Sequence, residues 1–310
     1  MQEADYQLVI IGGGPAGLTA GLYAARARLK TLLLERGALG GQALTTDWVD
    51  NYPGYAEGIS GFDLVEKMAA HARRFGLETR IAQINSMDLR GDIKTLHLDS
   101  GERLTALAVI ICTGGSPGKL GVSGELEFAG KGVSYCATCD GPFYRGQEIA
   151  VVGGGNTAIQ EALHLTNFAS KVTVVHRRQE LRATKIVQEK AMASDRIEFL
   201  LDTRVRAIIG GASGVTGLQL EHNNGALTTL AVTGVFILIG VTPNNQLLPL
   251  ADLETDEYGF IVTDTEMQTS LPGVFAAGDI RSKNFRQIVN AAGEGATAEL
   301  SAEHYLAHLA

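Results

Sequence analysis

The apolar positions of this chain fall into two kinds of run. Short, almost unbroken ones, "QLVII" (7–11), "TLLLE" (31–35), "LAVII" (107–111), "EIAVV" (148–152), "KVTVV" (171–175) and "GVFILI" (234–239), read as buried strands. Longer ones repeat every three to four positions and read as helices over 18–29, 61–76 and 159–169, with another from about Arg286. Residues 77–105 alternate instead, as a strand meander does, with turns at "RGD" and "DSGE". One more strand is expected in "YGFIVTD" (258–264), and Asp279 closes another in "PGVFAAGDI".

What joins these elements is chemically informative. Thirty-eight of 310 residues are glycine, well above the usual ~7%, and they sit in short clusters. "GGGPAG" links the first strand to the first helix and puts Gly12, Gly14 and Gly17 at the G-x-G-x-x-G positions. That spacing gives a tight turn, close approach to a pyrophosphate and close helix–strand packing, with free N–H groups at the helix start. The next strand ends in Glu35, 23 residues after Gly12, where a carboxylate can accept both hydroxyl protons of an adenosine ribose.

The pattern then returns with Gly153, Gly155 and Ala158, and 23 residues after Gly153 the chain reads "HRRQELR" instead of an acid. Beside His176, the guanidinium groups of Arg177, Arg178 and Arg182 suit a 2′-phosphate, so this second site is expected to take NADPH. Two Gly/Pro-rich breaks, "GGSPG" and "GVTPN", bracket the second unit. The organisation expected is α/β, with two Rossmann-like, three-layer ββα nucleotide-binding domains. One, residues 116–244, is inserted into a discontinuous one made of 1–115 and 245–310.

Charge and cysteine content narrow the class. Acidic residues outnumber basic ones by 34 to 26, giving a net charge of −8, which disfavours nucleic acid as a partner. Nothing approaches ~18 uninterrupted apolar residues, so no membrane span is expected. The acidic start "MQEADYQLVIIGGG" is unlike a signal peptide. Three cysteines do not make a disulfide scaffold, and a reducing, cytoplasmic compartment fits best.

Over nearly its whole length the chain resembles the low-molecular-weight, bacterial-type thioredoxin reductases. The motifs "GGGPAG", "GGQ" (40–42), "NYPG" (51–54), "CATCDG", "GGGNTA", "HRRxxxR", "GVFAAGD" and "RQ" (286–287) come in family order and at family spacing. The resemblance implies FAD in the outer domain. Its contacts would be Gly12, Gly14, Pro15, Ala16, Gly17, Glu35, Arg36, Gly41, Gln42, Asn51, Thr113, Gly114, Gly278, Asp279, Arg286, Gln287 and Ile288. It also implies NADPH in the inserted domain, at Gly153, Gly155, Asn156, Thr157, Ala158, His176, Arg177, Arg178 and Arg182. The small residues of "NAAGEGATAEL" would let backbone approach a flat ring. One departure is Cys112, where the family commonly has alanine before Thr-Gly.

The pair Cys136 and Cys139 can be half a zinc site, a structural disulfide or a redox dithiol. Zinc needs four ligands and no second Cys-x-x-Cys or Cys/His pair is present, so no metal is expected. In the flavin context the redox reading is preferred. By resemblance, Cys139 is the sulfur nearer the flavin, Cys136 attacks the substrate disulfide, and Asp140 handles the thiol proton. The family also implies a homodimer, thioredoxin or a thioredoxin-like protein as substrate, and an inserted domain that rotates between two states. Rivals are same-fold flavoproteins with another electron partner and a non-enzymatic nucleotide sensor.

Overall fold

The computed structural model describes residues 4–46 and 48–309, which cluster into two compact units, one of 1–116 and 242–310 and one of 117–241.

Unit 1 is built on a seven-stranded sheet. Strand β1 (Tyr6–Ile11) pairs in parallel with β2 (Thr31–Glu35) and β6 (Arg103–Ile111), and β2 pairs in parallel with β3 (Glu78–Ile81). On its other edge β6 is shared. Its first half takes β5 (Lys94–Leu98), which is antiparallel and paired in turn with β4 (Ile84–Asp88), while its last three residues take β17 (Val274–Ala276) in parallel. Only β4, β5 and β6 therefore form the expected meander. Alternate residues of the central strands serve different cores. Leu8, Ile10, Leu33, Ala108 and Ile110 pack beneath α1 (Pro15–Arg26), α2 (Gly61–Arg74) and α6 (Ile288–Leu309). Val9, Ile11, Leu32, Leu34, Val109 and Ile111 face the β4–β5 side, with Leu248, Leu253 and Ile261. A strand covered on both faces has no polar side to show, which is why these segments read as unbroken apolar runs.

Unit 2 repeats the plan. Its five-stranded sheet runs in the order β11 (Ile197–Leu200), β10 (Lys171–Val175), β9 (Glu148–Val152), β15 (Gly234–Ile237) and β8 (Val133–Ser134), all parallel. Val151, Val172, Val174 and Phe236 pack with the side of α3 (Ala137–Asp140), α4 (Asn156–Leu165) and α5 (Lys185–Met192). Ala150, Val152, Val175, Val235 and Ile237 pack against an antiparallel sheet of β12 (Thr203–Gly211), β13 (Gly214–His222) and β14 (Leu227–Ala231). The two crossing segments between the units, β7 (Gly115–Pro117) and β16 (Val241–Pro243), pair with each other.

Three further expectations need correction. Residues 258–264 form no strand, only single bridges from Ile261 to Thr255 and Arg281. The Asp256 side chain accepts the Tyr258 and Phe260 N–H groups at 2.9 and 3.0 Å, a local turn that competes with a ladder. The first helix ends at Arg26, three residues short of the expected 29, as the chain turns through Arg28 at φ 63°. The helix expected over 159–169 spans Asn156–Leu165, starting at the glycine turn and stopping before the Phe168 and Ala169 turn.

One buried group makes stability depend on pH. Glu299 on α6 is 0% exposed and neither carboxyl oxygen has a hydrogen-bond partner. Burial, reinforced by the Glu303 charge, pushes the carboxyl from 4.5 up to about 7. The folded state therefore holds this proton more tightly than the unfolded one. Stability is lost as pH rises from the unfolded value to about 7, and is flat above that. Thermal unfolding should show Glu299→Gln level with the parent near pH 4, below the unfolded value, and more stable by ~2–4 °C or more at pH 8.5. A difference that does not change with pH would rule this out.

Candidate functional site

The sequence-selected residues of unit 1 gather where a doubly covered sheet places its ligands, at the carboxyl ends of β1, β2, β6 and β17. Gly12 follows β1 with φ +106°, and a Cβ there would lie 2.3 Å from the Cys112 carbonyl oxygen. A Cβ on Gly17 would lie 1.9 Å from the Gly12 oxygen. These two glycines let the turn, the helix and β6 touch. Gly14 caps α1 without a side-chain hydrogen bond and Pro15 follows at the first helical position, so the N–H groups of the first turn, Ala16 included, point outward as an anion site. The Gly40–Gly41 bend folds back onto this turn, with the Gly40 N–H on the Gly13 oxygen at 2.7 Å. Gln42 continues it and donates to the Gly115 carbonyl, next to Thr113 and Gly114.

Glu35 has a task the sequence did not show. Its Oε2 accepts the Gly13 N–H at 2.7 Å and its Oε1 the Gly37 N–H at 3.0 Å, so it ties β2 to the turn while keeping lone pairs for a ribose. Arg36 stands exposed beside it. Asn51 reaches the start of α6 through its Nδ2, which donates to Gln287 Oε1 at 3.2 Å, just before Ile288.

The fit to FAD rests on buried polar atoms left without a hydrogen-bond partner. Thr113 Oγ1, Asp279 Oδ1 and Arg286 Nε are buried with no hydrogen-bond partner. Burial raises the Asp279 carboxyl, opposed by the Lys283 and Arg286 charges, and it lowers the Arg286 guanidinium. Arg286 lies 4.2 Å over the Phe260 ring. Gly278, at φ +80°, would bring a Cβ to 3.0 Å from the Ala16 Cβ, so the β17 exit sits directly on the glycine turn. Orphaned acceptors, an uncapped helix start and a turn that excludes side chains match a dinucleotide with hydroxyls and a diphosphate.

In unit 2 the second turn repeats this geometry. A Cβ on Gly153 would lie 2.5 Å from the Leu238 oxygen and 2.6 Å from the Ala158 Cβ. Gly155 caps α4 without a side-chain hydrogen bond, faces open space, and leaves Asn156 and Thr157 exposed on the first turn. Asn156 Oδ1 accepts the Thr184 N–H at 2.8 Å, and the Gly154 oxygen accepts the Arg182 N–H at 2.7 Å. Those bonds bring Arg182 back to the turn, while Arg177 and Arg178 stand exposed after β10. The His176 ring lies where a Gly154 Cβ would be, 2.4 Å away, so the middle glycine is needed too. Burial, reinforced by the Arg182, Arg178 and Arg177 charges and opposed by a hydrogen bond at the Glu180 backbone, shifts the imidazole down and favours its neutral form, and Nε2 is buried without a hydrogen-bond partner.

Cys136 and Cys139 are joined as a disulfide with Cα atoms 5.3 Å apart. Cys136 caps α3, its Sγ accepting the Cys139 N–H at 3.2 Å, and its own N–H donates to Ser134 Oγ at 3.1 Å. Asp140 closes α3, and its charge, after burial, pushes the Tyr144 phenol up to about 12. Sequence reasoning missed what holds this loop. Glu125, 2% exposed, accepts the Tyr135 hydroxyl at 2.9 Å and the Leu120 and Gly121 N–H groups at 3.0 and 2.7 Å. Nothing in "GELEF" marks this acid as buried. It also missed Glu294, whose only signal is a charge between two glycines in an otherwise small-residue helix.

Residues 6–295 match the model of the family described as pyridine nucleotide-disulphide oxidoreductase. A thioredoxin reductase of Listeria innocua is 45% identical over 309 residues, 99% of this chain and 96% of that one. A bifunctional thioredoxin reductase/thioredoxin of Mycobacterium leprae is 47% identical over 98% of this chain and 67% of its own length. Among solved structures, thioredoxin reductase from Streptococcus pyogenes superposes with a TM-score of 0.93 at 44% identity, covering 98% of each chain.

Proposed function

The chain belongs to the pyridine nucleotide-disulphide oxidoreductase family, and from that membership we propose a flavoprotein reductase. It takes electrons from NADPH and delivers them through Cys136 and Cys139 to the disulfide of thioredoxin or a thioredoxin-like protein. The observation that carries this reading is the joined Cys136–Cys139 pair in a chain with two glycine cradles, one backed by orphaned polar atoms and one by arginines.

When bound in unit 1, FAD supplies the relay that accepts a hydride and passes two electrons to sulfur. The Gly12 to Gly17 turn offers N–H groups to its diphosphate, Glu35 faces a ribose, and Thr113 and Asp279 accept hydroxyl donors. The small early turns of α6, after Arg286 and Gln287, leave backbone accessible to a ring. In unit 2, Gly155, Asn156 and Thr157 hold the NADPH diphosphate, and Arg177, Arg178 and Arg182 its 2′-phosphate.

In the reduced pair, the Cys136 thiolate attacks one sulfur of the substrate disulfide and the other leaves as a thiolate. The Cys139 thiolate then attacks Cys136 Sγ, re-forming the internal disulfide and expelling the second substrate thiolate. Asp140 moves the proton that the departing sulfur needs. The Mycobacterium leprae relative, whose name joins reductase and thioredoxin, supports thioredoxin as the substrate. A homodimer in the cytoplasm completes the reading. A groove in unit 1 with mixed lining, Leu18, Leu22, Met68 and Val289 beside Thr19 and His71, is the place where a second copy would seat.

The purified protein should be yellow, bleach with NADPH in the absence of air, and oxidise NADPH only when oxidised thioredoxin is added. The same preparation should sediment at twice the 32.8 kDa chain mass. A colourless protein, or NADPH oxidation indifferent to thioredoxin, would reject the assignment.

A further inference from the structure

Glu294, 14% exposed on α6, makes four polar contacts. Its Oε1 meets Arg281 Nη1 at 2.9 Å and Lys283 Nζ at 3.1 Å. Its Oε2 accepts from Lys283 Nζ at 3.1 Å and from the Gly278 N–H at 2.8 Å. One carboxylate thus joins the exit of β17, the 281–283 loop and α6. Gly278, Asp279 and Ile288 lie on these segments, and Arg286 and Gln287 join the loop to α6.

The Lys283 ammonium is divided unequally. It bonds both Glu294 oxygens but lies 3.4 Å from Asp279 Oδ1, which has no hydrogen-bond partner. An ammonium has three N–H donors and turns freely about its stem, so its position follows the stronger carboxylate field.

We infer that Glu294 is a positioning residue of the FAD site: by holding the Lys283 ammonium and the Gly278 amide, it keeps Asp279 Oδ1 open to a hydroxyl donor of the cofactor. The inference rests on the flavin reading of unit 1. Without the Glu294 charge, Lys283 has Asp279 as its remaining carboxylate partner among its ion pairs in the structure. A closed Lys283–Asp279 pair occupies the acceptor that FAD needs.

The test is FAD release from the holoprotein, followed by the rise of flavin fluorescence on dilution into mild denaturant. Glu294→Gln keeps an acceptor for the Gly278 N–H but loses the charge. It should release FAD about tenfold faster or more, the worth of one charge-assisted hydrogen bond. Lys283→Met added to Glu294→Gln should restore most of the retention, because no ammonium is left to close on Asp279. A merely structural role for Glu294 predicts the opposite, since the double variant removes a second buried contact. Parent-like release from Glu294→Gln, or no recovery in the double variant with far-UV circular dichroism unchanged, would overturn the inference. A parent protein that binds no FAD would overturn the flavin reading itself, and this inference with it.

Discussion

Replacing Arg177 and Arg178 together with neutral residues should raise the KM for NADPH about a hundredfold and leave the KM for NADH nearly unchanged. Each guanidinium lost from a 2′-phosphate removes a charge-assisted bond of ~1.5–3 kcal/mol, or about tenfold or more apiece. NADH has no 2′-phosphate, so it has nothing to lose. The fold makes this a local experiment. Both side chains are exposed beyond the end of β10, and no core position is disturbed. Arg182 is anchored to the turn through its backbone N–H on the Gly154 oxygen at 2.7 Å, which does not depend on either replaced side chain. The parent protein using NADH and NADPH equally well would show that the cluster is only a solvated basic loop.

The second expectation is a separation of half-reactions. Cys136→Ser and Cys139→Ser should each lower thioredoxin reduction roughly a thousandfold or more, as losing one member of a catalytic pair does. Bleaching of the flavin by NADPH in stopped flow should keep its parent rate, because that step precedes the sulfur chemistry. Cys136→Ser is a clean replacement on structural grounds. Cys136 Sγ caps α3 by accepting the Cys139 N–H, and a serine hydroxyl is a good N-cap in the same place. If bleaching disappears along with the thiols, the proposed order of events is wrong.

The sequence by itself determined the features whose causes are local. A strand buried on both faces has no solvent side to mark with charged residues, so β1, β2, β9, β10 and β15 were legible as short, largely apolar runs. A turn that passes under a carbonyl at 2.3 Å must be glycine, so Gly12 announced its geometry from its spacing alone. The Cys-x-x-Cys spacing that lets Cys136 and Cys139 join was legible for the same reason, since both cysteines lie within four residues.

Only the tertiary structure decided what depends on partners far along the chain. Residues 258–264 have a strand-like pattern, yet the Asp256 turn and single bridges take their hydrogen bonds. Residues 78–81 look like the start of a meander but pair in parallel with β2. Glu35 was marked for a ribose alone, and Glu294 and Glu299 are acids of ordinary appearance. The first ties the glycine turn, the second gathers Arg281, Lys283 and the Gly278 amide, and the third is sealed in the core. Periodicity tells which face of an element is covered but not what covers it. An acid's role is fixed by the donors that long-range packing brings within 3 Å, and no local pattern carries that information.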